Sequence, residues 1–426
     1  ADILVERLLL HKSTRQLIRI NATRRHEYET VLAREYSRFD EELQCYVIPP
    51  LSEILSCEIV VSTCVMAGEL LSLGVSDEHF THIFFDEASQ AMESETMVPL
   101  ALTNNLTSVI LTGDYKQLGP VTHSKLAQTD RFKMSLLERL MSREPYSSLK
   151  SDCVTLLIRN YRSHEALLTL PSQLFYENAL YAESDEKTTH SLTSWEMLPN
   201  QNDFPILFYG VIGRDVSEPD SSSFFNPIEI AKILELIQHL LRSKSLKVKI
   251  SDIGVIAPYR KQVLKTRVLL RHHNLADISV GSVDDYQGEE RRIIIISTTV
   301  SKKREFLFAN QSRGLLENEK RFNVAITRAK ALLVIIGNPY VLKQYPKWNK
   351  LLEYSIQNKA YGGVDCDEFY GIDKADSGDL AGGAAVDMAS FVRQIEKKSV
   401  LGAAAFDRIY PTVPAMSDET PWRIML

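Results

Sequence analysis

The chain has 426 residues and a formal charge of −6, with 24% charged and 44% hydrophobic residues. That length exceeds one ordinary core and points to two or three domains, and the composition is that of a globular protein in water. The acidic balance excludes a general attraction to polyanions, so any such partner has to be held by a local basic surface.

Five cysteines lie widely spaced with no Cys-x-x-Cys pair, which reads as reduced thiols and not a disulfide framework or zinc site. No apolar run approaches the ~18 residues of a bilayer span, so no membrane partner is expected. The opening ADILVERLLLHK carries Asp2 and Glu6, unlike a signal peptide, and a cytoplasmic or nuclear location is the default, cytoplasmic being the one expected.

In chain order, a basic stretch at 11–28 (HKSTRQLIRINATRRHEY) comes first. The apolar runs EIVVSTC, HIFFDEA and SVILTGD follow, each closed by turn residues. Runs this short, apolar on consecutive residues, suit strands buried on both faces of a parallel sheet. MSLLERLMSRE then repeats apolar residues every three or four positions, as a helix does. Residues 146–152 (YSSLKSD) resemble a connection between two halves.

The second half gives VTLLIRN, polar loops at 181–203 and 213–225, the helical PIEIAKILELIQHLLRS, and the runs IGVIAPY, RIIIISTTV and LLVIIGN. This alternation predicts βαβ units and an α/β class. In RKQVLKTRVLLRHH, Arg260, Arg267 and Arg271 fall near one side of a helix, more in keeping with a solvated charged face than an RNA track. From 353 onward the pattern decays into small and acidic residues (DSGDLAGGAAVDMAS), which predicts a peripheral or loosely ordered tail over 353–426.

The informative chemistry begins at HIFFDEASQ. Its strand delivers Asp86 and Glu87 to the carboxyl edge of a parallel sheet, where α/β proteins bind ligands. One carboxylate can hold magnesium through water while its neighbour takes a proton from attacking water. An Asp-Glu pair closing an apolar strand is by itself commonly an ordinary solvated strand end; the company it keeps decides otherwise. SVILTGDYKQLGP ends another strand and offers Gln117, a neutral amide able to sense a terminal phosphate. LLIRNYRSH puts Tyr161 and Arg162 past a third strand. GSVDDYQGEERRIIIIS sets a Gln-Gly turn before a strand, and RFNVAITRAKALLVIIGN carries Arg328 into the last one. Guanidinium groups suit phosphoryl transfer, which is driven mainly by positioning and charge neutralisation.

Taken together, DEASQA, GDYKQLGP, NYRSH, APYRKQ, VDDYQGEE and NVAITRAK resemble motifs II to VI of the up-frameshift-like superfamily 1 helicases. Within that group the likeness is to the Moloney-leukaemia-virus-ten and Armitage helicases of RNA silencing, over roughly residues 1–352. The resemblance implies two RecA-like parallel-sheet domains, the first incomplete, with ATP in the cleft and RNA across the top. The expected first domain is 1–145, with an insertion at about 11–55, and the second is 146–352.

Carried over by motif, Asp86 would hold Mg2+ and Glu87 would activate water. Gln117, Arg162 and Arg328 would meet the γ-phosphate. Tyr161 would stack on adenine, with Gly288 and Glu290 at the nucleotide and Glu290 on the ribose. Thr63, Pro258, Tyr259 and Ser282 would contact single-stranded RNA through backbone and stacking contacts tolerant of base sequence. Argonaute-type silencing proteins or RNA-decay proteins are the implied partners.

One part of that machinery is not in the sequence. A phosphate-gripping loop reads G-x-x-x-x-G-K-[ST], and none of the 18 glycines is followed by lysine. The resemblance puts that loop upstream of residue 1, so the chain alone is expected to bind ATP weakly and hydrolyse it negligibly. A non-catalytic RNA-binding scaffold and a DNA-directed relative remain as alternatives.

Overall fold

The structure is a computed structural model that describes residues 2–11, 16–23, 34–122, 124, 131–150, 152–199, 204–218, 221, 223–302 and 314–365. They divide into two compact units: the described residues of 2–115 with those of 119–155, and 116–118 with those of 156–365. The division falls inside the VTLLIRN run, beyond the connection expected at 146–152.

The second unit is built on a six-stranded sheet. Its spatial order is Ser279–Gly281, Ile253–Ile256, Arg291–Ser297, Ala329–Gly337, Ile206–Gly210 and Tyr361–Gly363, with every neighbouring pair parallel. The uninterrupted apolar runs follow from this arrangement, because alternate residues serve opposite faces and both faces are covered. Ile294, Ile296, Leu333 and Ile335 enter one core with Phe208, Phe322 and Trp348. Ile293, Ile295, Leu332 and Val334 enter the other, under the helices Pro227–Arg242 and Arg260–His272.

Trp348, on the helix Pro346–Gln357, is fully buried with its ring edge-on to Phe322, centroids 5.0 Å apart. Trp348→Ala should therefore cost ~3–5 kcal/mol of stability in the second unit. Chemical denaturation measures this, and a loss under ~1 kcal/mol would contradict the packing described.

The first unit holds two separate parallel pairs among its described residues, Leu17–Arg19 with Ile59–Val61 and His82–Phe85 with Ser108–Leu111. Three small cores support them, centred on Ile20, Ile54 and Leu70, on Val5, Leu17 and Val61, and on Phe85, Ala88 and Leu137. Phe84 is 69% exposed, so this sheet is not covered on both faces by the described residues.

Three expectations change. VTLLIRN gives only a two-residue strand, Arg159–Asn160, paired with Tyr181–Ala182, while Leu156 and Leu157 are exposed; an apolar run does not by itself separate a buried strand from a connecting segment. Leu17–Arg19, inside the stretch read as an insertion, is a buried strand. The tail expected from 353 begins inside the helix Pro346–Gln357 and then adds the edge strand Tyr361–Gly363 beside Ile206–Gly210. Residues 366–426 lie outside the described residues, as do 12–15 and 24–33 of the basic stretch.

Candidate functional site

In the first unit, Phe85 is the last buried residue of its strand, and the chain then turns through Asp86 and Glu87, both exposed. Thr112 ties the neighbouring strand to this turn. Its carbonyl accepts from Ala88 N at 2.7 Å, and its amide and hydroxyl donate to Phe85 O at 2.8 and 2.9 Å. Gly113 lets the two loops close, since a Cβ there would sit 3.0 Å from the backbone nitrogens of Ala88 and Ser89.

Glu87 has φ +53°, a left-handed conformation that costs a side-chain-bearing residue ~1–2 kcal/mol. Its carboxylate accepts from Gln90 Nε2 at 3.0 Å. Strain held at a strand end beside an exposed acid pair is a pattern of working sites. Thr63 is exposed just past Ile59–Val61; its hydroxyl accepts from Met66 N at 3.4 Å, opening the turn toward the helix Gly68–Ser72.

The second unit gathers more of the expected residues. Asn160 Oδ1 accepts from the amides of Arg162 and Ser163, both at 2.9 Å, which fixes the turn. Ser163 Oγ donates to Ala329 O at 2.8 Å, and His164 N donates to Lys330 O at 2.9 Å. These bonds stitch NYRSH to TRAK. Arg291 N, just after QGEE, donates to Arg328 O at 3.1 Å and joins the third motif.

The side chains follow. Arg162 Nε meets Glu290 Oε2 at 2.5 Å and its Nη1 donates to Thr327 O at 3.3 Å. Lys330 Nζ meets the other oxygen of Glu290 at 2.6 Å. Burial alone would push the Glu290 carboxyl up, but bonds from Lys330 and Arg162 outweigh it and hold the group below the usual carboxylate range. Arg328 is 2% exposed. Its Nε donates to Val324 O, and its Nη2 to Thr327 Oγ1 and Gln117 Oε1, each at 3.0 Å. Gln117 lies in the short segment that belongs to the second unit, where Asn323 Nδ2 also donates to Lys116 O at 3.1 Å. Tyr161 is 67% exposed, a ring open to stacking. Gly288 has φ +77°, a backbone that glycine adopts at no steric cost.

Pro258, Tyr259 and Ser282 all follow carboxyl ends of strands in this same sheet. Tyr259 packs edge-on to Phe224 at 5.7 Å. Burial first, then Tyr345 and Glu317 nearby, push its phenol up to about 12. Ser282 Oγ donates to Asp285 Oδ2 at 2.9 Å and so closes its own loop. On the basic helix, Lys261 and Lys265 both pair with Glu218, and Arg267 Nε donates to Val280 O at 2.9 Å. Much of its charge is thus spent internally.

Two family profiles, each described as an AAA domain, match residues 6–125 and 132–340. The human RNA helicase Mov10l1 is 45% identical over 361 residues, covering 82% of this chain and 29% of its own length. The Drosophila melanogaster probable RNA helicase armi is 36% identical over 327 residues, 72% of this chain and 27% of its own. The chain belongs to the up-frameshift-like superfamily 1 helicases. It spans about three tenths of the length of these two relatives. The arterivirus nonstructural protein 10 helicase structure aligns with 81% of the chain and 52% of its own at 15% identity, TM-score 0.36.

Such helicases act on a nucleotide with a metal ion. Asp86 fits magnesium chemically: it is an exposed hard oxygen donor with Thr112 Oγ1 at 3.5 Å, and magnesium is usually held by one or two carboxylates plus waters and phosphate oxygens. Lys330 and Thr327 were not singled out from sequence, although both lie in TRAK with Arg328: Thr327 Oγ1 accepts from Arg328, and Lys330 shares Glu290 with Arg162. Their proximity to an expected arginine was the available signal.

Proposed function

We propose that this chain is the motor region of an ATP-dependent RNA helicase that couples ATP hydrolysis to movement along single-stranded RNA in cytoplasmic silencing or decay. The assembly of Arg162, Arg328, Gln117 and Glu290 around Thr327 is the observation that carries the reading. Two guanidinium groups, a neutral amide and a carboxylate suit a triphosphate and a ribose. In the nucleotide cycle Asp86 holds Mg2+, Glu87 takes the proton of the attacking water, and Arg162 and Arg328 neutralise charge on the transferred phosphoryl group. Tyr161 stacks on the base, and Glu290 accepts from ribose hydroxyls beside Gly288. Thr63, Pro258, Tyr259 and Ser282 belong to the RNA-contacting surface. RNA rather than DNA is favoured because both relatives carry the name RNA helicase. Argonaute-type or decay factors are the fitting protein partners.

No glycine of these 426 residues precedes a lysine, and in this reading a phosphate grip has to be supplied by a loop other than any they contain. Residues 1–426 alone then bind ATP weakly and turn it over negligibly, and a longer protein carrying G-x-x-x-x-G-K-[ST] hydrolyses ATP when single-stranded RNA is added. Steady-state ATPase assays on both forms make the test. Equal turnover by the two would refute the need for that loop, and RNA binding without turnover in the longer form would favour the scaffold reading.

A further inference from the structure

In PIEIAKILELIQHLLR, Glu229 falls in phase with Ile233, Leu236 and Leu240, on the buried face of its helix, and it is fully buried. An acid there needs donors. Oε2 accepts from Ser297 Oγ at 2.5 Å and from Thr299 N at 2.8 Å, and Oε1 accepts from Asn226 Nδ2 at 3.2 Å. Gln262 closes the ring: its Nε2 donates to Ser297 Oγ and its Oε1 accepts from Asn226 N, each at 2.8 Å.

The members come from three sites in the sequence. Gln262 ends APYRKQ, the motif that carries Pro258 and Tyr259. Ser297 ends the strand that follows QGEE. Asn226 caps the helix of Glu229. Thr299, a β-branched residue, is held at φ +68°, an outlier that only a firm surround maintains. The hydroxyls of Thr298 and Thr299 are buried without a hydrogen-bond partner. Among the described residues the donors to Glu229 are all neutral. Lys232 on the same helix turns to Tyr209 and Glu235, Lys261 and Lys265 turn to Glu218, and Asp215 holds Ser301.

Resting on the RNA-motor reading, we propose that Glu229 is a positioning residue: its ring braces the turn 297–299 against the loop of Pro258 and Tyr259, and sets that sheet edge for single-stranded RNA. The ionised carboxylate satisfies three donors at once. Its protonated form has to donate, and the ring must rearrange. Burial, partly offset by bonds from Ser297 and Thr299, pushes the carboxyl up from 4.5 to about 7, so the change falls near neutral pH. Because the folded state holds this proton more tightly than the unfolded chain, the group's contribution to stability is present below about 4.5 and is lost as pH rises through about 7. A loss of RNA affinity toward acid pH is therefore not unfolding driven by Glu229.

The test uses the full chain, a fluorescein-labelled oligouridine and Glu229→Gln, with thermal midpoints followed alongside. Parent affinity should fall about tenfold on acidification, the equivalent of one pKa unit of coupling, with its midpoint near 7. Amide exchange at 257–262 and 297–302 should rise in step. Glu229→Gln should be flat with pH and close to the acid-form values in both readouts. A variant with the parent's affinity and pH profile overturns the proposal, as does unchanged exchange. If the parent binds no RNA at any pH, the motor reading is overturned, and the exchange data then uphold or overturn the brace separately.

Discussion

In the longer protein that carries a phosphate-binding loop, Arg328→Ala lowers RNA-stimulated ATP turnover by about 10³-fold or more, with little change in KM for ATP. Charge on the transferred phosphoryl group is spread over its oxygens in the transition state, and a fixed guanidinium stabilises that state more than the ground state. Arg328 is suited to this because it is already ordered. Val324 O, Thr327 Oγ1 and Gln117 Oε1 hold its fork, and the side chain is almost wholly buried. Little reorganisation remains when substrate arrives.

Arg328→Lys keeps the charge but loses the fork, so it recovers only a small part of the rate. Thermal denaturation must accompany the assay, since a buried guanidinium also fills space. A folded Arg328→Ala protein within about tenfold of the parent would remove Arg328 from the phosphoryl-transfer machinery.

Glu87→Gln produces the second large loss, about 10²–10⁴-fold in kcat, as expected when a general base is replaced by an amide. The swap keeps volume and leaves the left-handed backbone at residue 87 equally strained, so stability should barely move. Nucleotide affinity should be retained, because in the proposed function binding rests on a phosphate loop, the metal and stacking on Tyr161. Equilibrium binding of a fluorescent ATP analogue, set beside single-turnover hydrolysis, separates the two effects. Loss of binding in parallel with turnover would assign Glu87 to the grip and not to the chemistry.

Most of the second unit was legible in the sequence because its strands are covered on both faces. IGVIAPY, RIIIISTTV and LLVIIGN could be little else than central parallel strands. PILFYG, which forms Ile206–Gly210, went unread because its apolar residues abut a polar loop, and Tyr361–Gly363 because its glycines carry no apolar signal. VTLLIRN misled for the opposite reason, being apolar but exposed over Leu156 and Leu157.

At the candidate site, the motif residues were legible as members of a set, but their partners were not. Pairing of Glu290 with both Arg162 and Lys330 joins residues far apart in the chain, and no local pattern encodes it. Glu229 was within reach, since the helical period that places Ile233 and Leu236 in the core places this acid there too.

The proposed function requires the acids at 86–87 and the arginines at 162 and 328 to act on one phosphoryl transfer. A double-mutant cycle on ATP turnover, joining Glu87→Gln to Arg328→Ala in the longer protein, tests it most directly. Residues serving one step are strongly non-additive, so the double variant should fall no more than about tenfold below the worse single variant. Losses that multiply in full would mean that the two residues work independently, and would contradict the account.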